Sequence, residues 1–365
     1  MTRAPRGGPR ILLAALVVCS ACDETGPLEV IEGEYIDYMW DRSLTPCAGT
    51  ASAVDATIPW IAAQLGHDAD ALGPLEYRWL PPEVVDDLYN GDTPVEYIGG
   101  YARRGYTNVG YPTSPHELTH LVDIGTRSAR ARPHPLLAEG LAVAFDEGLR
   151  GDRGPALSAI DPRPFIDGPL PRDLSHYPAA GSFVAYILGR YGVERFYELW
   201  DALPADAEGE RFREVFTAVY GEALDPLIDD FLTGATCPAD AVAVPLPPSC
   251  AAPTIPWESA ETWSYRRALA CGDDDVFGDA DGAAAHQVTV EVAVAGTYDV
   301  SSVGDAWQGA TLKPCAPCPW IRERVGLQGG SKRRVELAAG RYAVLFTVAG
   351  DTPALAGFVM TRVAP

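Results

Sequence analysis

Residues 116–120 read His116-Glu117-Leu118-Thr119-His120, two imidazoles four positions apart with a carboxylate beside the first. On a helix, positions i and i+4 lie one turn apart on the same face, so both rings can converge on one ion; this is the HExxH pattern of zinc sites. Glu117 is about 100° further round the helix, unable to ligate at the same angle and placed to take a proton from a water in the fourth coordination position. Ser114 and Pro115 provide a cap and a first helical residue just ahead. Ser114-x-x-Glu117 is equally a capping box, and a surface helix can carry two histidines without a metal, so a third ligand has to decide.

The metzincin variant of the pattern needs Gly at 123 and His at 126, where this chain has Asp123 and Thr126, which removes that subclass. A glutamate on a second helix is the other common solution. Glu139, separated from His120 by eighteen residues in Leu136-Leu137-Ala138-Glu139-Gly140-Leu141-Ala142, fits it. His134 competes as a ligand but stands between Pro133 and Pro135, in a turn that joins the helices. Asp123 and Asp146, each seven residues past a ligand, fall on the ligand's face two turns along, where an acid can accept the free N–H of a ligating imidazole.

The HELTH run at 116–120, the eighteen-residue spacing and Ala138-Glu139-Gly140-Leu141-Ala142 together resemble the gluzincin metallopeptidases. Within that group they are most similar to the small bacterial peptidase-MA-like proteins related to the catalytic domain of aminopeptidase N and leukotriene hydrolase. The resemblance continues through Tyr177-Pro178-Ala179-Ala180-Gly181-Ser182-Phe183-Val184-Ala185-Tyr186-Ile187 and Arg190-Tyr191-Gly192, like the helix that follows the zinc site. It ends in Leu224-Asp225-Pro226-Leu227-Ile228-Asp229-Asp230-Phe231, like the closing helix, and covers about 31–234. It implies a thermolysin/aminopeptidase-like domain, Zn2+ held by His116, His120 and Glu139, Glu117 as general base, and a peptide or protein substrate. Tyr177 is the implied oxyanion donor, because relatives use a tyrosine downstream of the third ligand; His176 is its alternative, and an aromatic packed on the core is the structural reading of Tyr177. The Gly-Ala-Met-Glu-Asn element by which aminopeptidases hold a substrate's N-terminus has no counterpart, only Gly99-Gly100-Tyr101-Ala102 upstream, so the expectation is an endopeptidase. Pro115 directly before the first ligand implies a short zinc helix.

The elements that must position these residues are legible in outline, and the fold class expected is α+β. Val30 to Tyr38 alternates like one strand, Ala48 to Leu65 reads as a helix, Leu75 to Leu80 as a strand, Pro82 to Tyr89 as a helix and Thr107 to Tyr111 as a short strand. Beyond Ser114 the period is helical, near 115–124, 135–147, 178–191, 193–202, 209–220 and 225–233. A small sheet layer with a helical layer is the expected frame of residues 31–236. Prolines crowd 237–256, which reads as a stiff linker. In 257–365 the period drops to two, in 287–294, 296–300, 335–337 and 342–348, and this indicates an antiparallel β-sandwich. His286 there stands alone and reads as structural, and Trp257, Trp263, Trp307 and Trp320 read as core, with a ligand-facing surface as the alternative. Attachment, substrate docking and stabilisation are all open roles for this part.

The chain has 365 residues, 47% hydrophobic and 21% charged, with a formal charge of −22. That composition is globular, and the charge repels a phosphate backbone, so nucleic acid is excluded as a partner. Arg3, Arg6 and Arg10 before the apolar run Ile11 to Val18 have the layout of an export signal. Cys19-Ser20-Ala21-Cys22 resembles a lipobox, so residues 1–21 are expected to be removed, Cys22 to carry a lipid anchor and 22–30 to form a tether; an ordinary signal peptide is the alternative. Cleavage there would leave a charge of −25. Six further cysteines in an oxidising compartment read as up to three disulfides, and chain order alone pairs Cys47 with Cys237, Cys250 with Cys271 and Cys315 with Cys318; a redox or metal motif is the alternative for Cys315-Ala316-Pro317-Cys318. The function expected is an exported zinc peptidase. The alternative is a non-catalytic envelope lipoprotein with a structural zinc, whose sandwich binds a partner.

Overall fold

The computed structural model describes residues 28–89, 100–126, 133–146, 160–168, 176–233, 248–315 and 325–363. The expected leader, the expected anchor residue Cys22, and Cys237, Cys318 and Trp320 lie outside them. Helices and strands are mixed in the first part: β1 (Glu29–Ile31), β2 (Ile36–Trp40), α1 (Thr50–Gln64), β3 (Leu75–Trp79), α2 (Pro82–Tyr89), β4 (Gly100–Arg103), β5 (Tyr106–Val109), α3 (Pro115–Thr126), α4 (Pro135–Phe145), α5 (Arg163–Ile166), α6 (Tyr177–Ala202), α7 (Gly209–Tyr220) and α8 (Leu224–Leu232). The strands form one sheet in the order β1-β2-β3-β5-β4. β2, β3 and β5 run parallel, which requires crossovers, and these contain α1 and α2; β1 and β4 are antiparallel edges.

Period-two alternation turns Ile36, Tyr38, Leu75, Tyr77 and Trp79 into the buried core. Tyr38 and Tyr77 stack with centroids 5.4 Å apart. Their hydroxyls donate to the carbonyls of Pro112 and Tyr111, each at 3.0 Å. The centre of the sheet is thus tied to the segment that leads into α3. The single strand expected over 30–38 is two strands. Asp55 of α1 accepts the backbone N–H groups of Tyr35 and Ile36 at 2.8 and 3.1 Å, and a Cβ at Gly33 would lie 2.2 Å from the carbonyl oxygen of Ile36. The chain therefore turns back there instead of continuing the ladder.

The second part contains α9 (Pro248–Ala251), β6 (Thr262–Leu269), β7 (Phe277–Gly278), β8 (Ala283–Val292), β9 (Gly296–Val303), β10 (Gly309–Pro314), β11 (Val325–Gln328), β12 (Lys332–Leu337), β13 (Gly340–Ala349) and β14 (Ala354–Arg362). Two antiparallel sheets, β11-β10-β13-β8-β7 and β12-β9-β14-β6, enclose a separate core around Trp263, Val290, Tyr298, Leu312, Phe346 and Phe358. Trp307 corrects the expectation of a core aromatic. Its turn is closed by Asp305 and Gln308, and the indole stays 60% exposed.

The C-terminal half of the Pro-rich stretch is not a free linker. Pro253 offers its carbonyl to the N–H of Thr289 at 2.8 Å, and the N–H of Ile255 donates to the carbonyl of Thr289 at 2.8 Å, so this half belongs to the sandwich. The pairings taken from chain order are overturned as well: the bonds are Cys47–Cys271 and Cys250–Cys315. Chain order does not measure distance in space, and here the residues before α1 are docked onto the sandwich. Cys47, Ala48 and Gly49 donate their N–H groups to Gly278, Cys271 and Val276 at 3.1, 2.8 and 2.8 Å, and Thr50 Oγ1 bonds to both the N–H and the carbonyl of Gly278 at 3.0 Å. Disulfides belong to extracellular or periplasmic proteins. Among the described residues no helix is long and apolar enough to cross a membrane.

Candidate metal centre

Helix α3 begins where Ser114 Oγ accepts the N–H of Glu117 at 3.4 Å, and it lies against α1, β4, β5 and α4. It runs for 12 residues, longer than Pro115 implied. Helix α4 is capped by His134, whose Nδ1 accepts the N–H of Leu136 at 3.2 Å while its Nε2 pairs with the carbonyl of Ala207 at 3.0 Å. Both ring nitrogens of His134 are used in this way, and it is not part of the metal group. Gly140 decides how closely α4 meets α6: a Cβ there would come 2.5 Å from Val184 Cγ2 and 2.7 Å from the carbonyl oxygen of Ala180. Its neighbour Glu139 is brought to the same place as the N-terminus of α6.

Glu139 Oε2 stands 3.2 Å from His116 Nε2 and 3.4 Å from His120 Nε2. The imidazole centroids are 4.9 Å apart at 80°. A tetrahedral zinc with bonds of about 2.0–2.1 Å separates its ligand atoms by about 3.3–3.4 Å, and the two His–Glu139 separations match that spacing while all three donor atoms lie within 4.8 Å of one another. His116, His120 and Glu139 are the one group of three donors that fits a metal among the described residues. Three protein ligands, with no fourth among the described residues, are the pattern of catalytic rather than structural zinc.

Next to these ligands stand Glu117 and Tyr177. Glu117 is buried, and its Cγ would lie 2.9 Å from a Cβ on Gly100, so the bare backbone of edge strand β4 makes room for it. Tyr177, the first residue of α6, stacks on His116 with centroids 5.6 Å apart at 10°. Burial first, then the charge and hydrogen bond of Glu139 and the charge of Glu117, hold its phenol far above the usual range. At neutral pH it is therefore a neutral donor. His176 packs edge-on behind Tyr177 at 4.8 Å, with Phe165 6.0 Å away on its other side.

Without a metal, the same residues pair with one another. Burial pushes His120 down, but the Glu139 hydrogen bond and the charges of Glu139, Glu117 and Asp123 outweigh it and raise the imidazole to about 9. Burial pushes Glu139 up, and the two imidazoles overcome that, holding it well below the usual carboxylate range. Of the two acids considered as outer partners, Asp123 is buried and accepts from Tyr197 Oη at 3.0 Å, whereas Asp146 closes the C-terminus of α4 with its Oδ1 buried and unpartnered. Sequence reasoning missed the steric part played by Gly100 and Gly140; the Gly99-Gly100 pair ahead of a metal motif was the available signal of close backbone approach.

No protein-family model matches the chain, and no curated protein matches it. Solved structures similar to part of it include the pre-peptidase C-terminal domain of a collagenase from Bacillus anthracis, 13% identical over 30% of this chain and 92% of that one, with a TM-score of 0.21. A periplasmic inhibitor of g-type lysozyme from Aeromonas hydrophila is 11% identical over 30% of this chain and 96% of that one, with a TM-score of 0.22. Similarity at this level transfers no chemistry, and the site stands on its own geometry.

Proposed function

We propose that the chain is an exported zinc-dependent endopeptidase whose first part has the thermolysin/aminopeptidase-like arrangement of the gluzincins. The observation that carries this reading is the set of three donor atoms within 4.8 Å of one another, Glu139 lying 3.2 and 3.4 Å from the two imidazoles, with a buried carboxylate and a protonated phenol beside them. Zinc, when bound, lowers the pKa of a water to about 7 and polarises the scissile carbonyl. Glu117 takes the proton of the attacking water and later delivers it to the leaving amine. Tyr177 donates to the oxyanion of the tetrahedral intermediate, a task for which it must remain protonated. Its hydroxyl rests on Glu139 in the free protein and turns to the substrate when one is bound. Two disulfides support an oxidising compartment, and Cys22 is the proposed lipid anchor to the envelope.

Metal analysis combined with Glu117→Gln tests the reading. The expected result is about one zinc per chain in both forms, with cleavage of a mixed peptide library falling about 10²–10⁴-fold in the variant. A zinc-free parent, or a variant as fast as the parent, ends it. Zinc in both forms with cleavage in neither indicates the non-catalytic lipoprotein instead. Mapping the released termini separates endopeptidase from exopeptidase.

A further inference from the structure

The two ligating histidines turn their Nε2 atoms to Glu139, which leaves each Nδ1 to be satisfied by the protein. Helical side chains lean back toward the N-terminus of their helix, so Asp123, three residues past His120 and seven past His116, reaches over the turn that carries both rings. It is 7% exposed, an expensive place for a carboxylate without partners, and its Oδ1 accepts Tyr197 Oη at 3.0 Å. Tyr197 comes from the far half of α6. That helix starts beside His116 with Tyr177 and is interrupted at Gly192, where φ is +79° and only glycine is at ease; past the break Tyr197 reaches α3 through its hydroxyl. The ring of Tyr197 is seated between Phe196 at 5.7 Å and His67 at 6.2 Å, just past the end of α1. One helix therefore touches α3 at two points, with Tyr177 stacked on His116 and Tyr197 bonded to Asp123.

We propose that Tyr197 is a positioning residue of the metal centre: through its hydrogen bond it fixes the Asp123 carboxylate, and Asp123 in turn orients the His120 imidazole. The inference rests on the metal reading above and adds the residues that hold its ligands.

Zinc dissociation constants, measured by competition with a chromophoric chelator, and the visible spectrum of the cobalt-substituted protein test it on the full chain. Asp123→Ala is expected to weaken zinc binding about 10–100-fold, the usual loss for an outer partner, and Tyr197→Phe by up to about tenfold with a shifted cobalt spectrum. The double variant should bind no more weakly than Asp123→Ala alone, since the tyrosine acts through the acid. A tyrosine that only packs would lower the melting temperature of the metal-free protein and leave affinity and spectrum as in the parent. That result, or additive losses in the double variant, overturns the proposal. Should Tyr197→Phe not fold, isosteric Asp123→Asn carries the test, with weakened zinc expected and parent-like affinity overturning. A parent that binds no zinc sinks the metal reading and this inference together, whereas a zinc-binding parent with unchanged variants sinks the inference alone.

Discussion

Two histidine sites with the same ingredients stand in the two parts of this molecule, and they do opposite things. In the first part His116 and His120 stand beside Glu139 and Tyr177, with both Nε2 atoms aimed at one point. In the sandwich His286 stands beside Asp275 and Tyr265: Tyr265 Oη pairs with its Nε2 at 2.8 Å, and its Nδ1 meets the Asp275 carbonyl at 3.2 Å. Expected to be solitary, His286 is in fact saturated. Arg267 braces the same loop through Asp273 and Asp275, at 3.0 and 2.6 Å, and that loop grips Gly49 and Cys47. The difference is one of convergence. Donor atoms that face a common point with one corner free can hold an ion, and the same groups spent on one another hold a loop. Charge follows the same division. Residues 31–236 carry 33 acids against 15 bases and 257–365 carry 13 against 10, so the field that attracts a dication belongs to the part with the donors.

The largest effect that could break this comparison comes from exchanging the two sites' fates. Glu139→Gln should weaken zinc by more than the 10–100-fold of an outer partner, and cleavage should fall with it. His286→Gln should keep the parent's zinc content while losing about 0.5–1.5 kcal/mol of stability, because the half-buried Tyr265 hydroxyl and the Asp275 carbonyl lose their partner. If His286→Gln releases zinc, the two sites are not independent and the contrast fails.

A smaller effect sharpens the role of helix packing. Gly140→Ala places a methyl group against Val184 and the Ala180 carbonyl, and overpacking of this kind costs about 1–3 kcal/mol. Because Glu139 is the adjacent residue, the melting temperature and the zinc affinity should fall together. A destabilised variant with parent-like affinity would show that α4 can shift without moving its ligand.

The smallest effect is the pH dependence of the metal-free protein, where the two sites should differ in sign. His120 is raised from 6.5 to about 9, so its contribution to stability is complete below about 6.5 and is lost as pH rises through about 9. Burial depresses His286 despite Asp275, so its contribution is complete above about 6.5 and is lost as pH falls below that. His134, also depressed by burial, adds to the acid side. Melts of EDTA-treated protein should therefore lose stability toward both ends, and His286→Gln should flatten the acid limb only. A metal-free melting temperature that rises from about pH 7 to 9 contradicts the pairing of His120 with Glu139.

Local pattern was enough for the parts of this protein that depend on neighbours along the chain. The spacing of His116 and His120, the Ser114 cap, the helices Pro135–Phe145 and Gly209–Tyr220 to within two residues at their ends, and the period-two strands around 287–294 and 342–348 all follow from residue type and helical or pleated repeat. Glu139 was reachable because its spacing from His120 is itself a sequence feature. Contacts between distant segments were not reachable in this way. The break at Gly33 depends on Asp55 of α1, the edge strand β4 was not foreseen, and Cys47 found Cys271 because the start of α1 docks on the sandwich. Tyr197 and Asp123 are 74 residues apart, and only the bend of α6 at Gly192 makes them neighbours. The sequence by itself determined which groups could do chemistry. The tertiary structure decided which of them converge and which are spent on each other, because a hydrogen bond or a ligand set depends on distances in space that no repeat along the chain encodes.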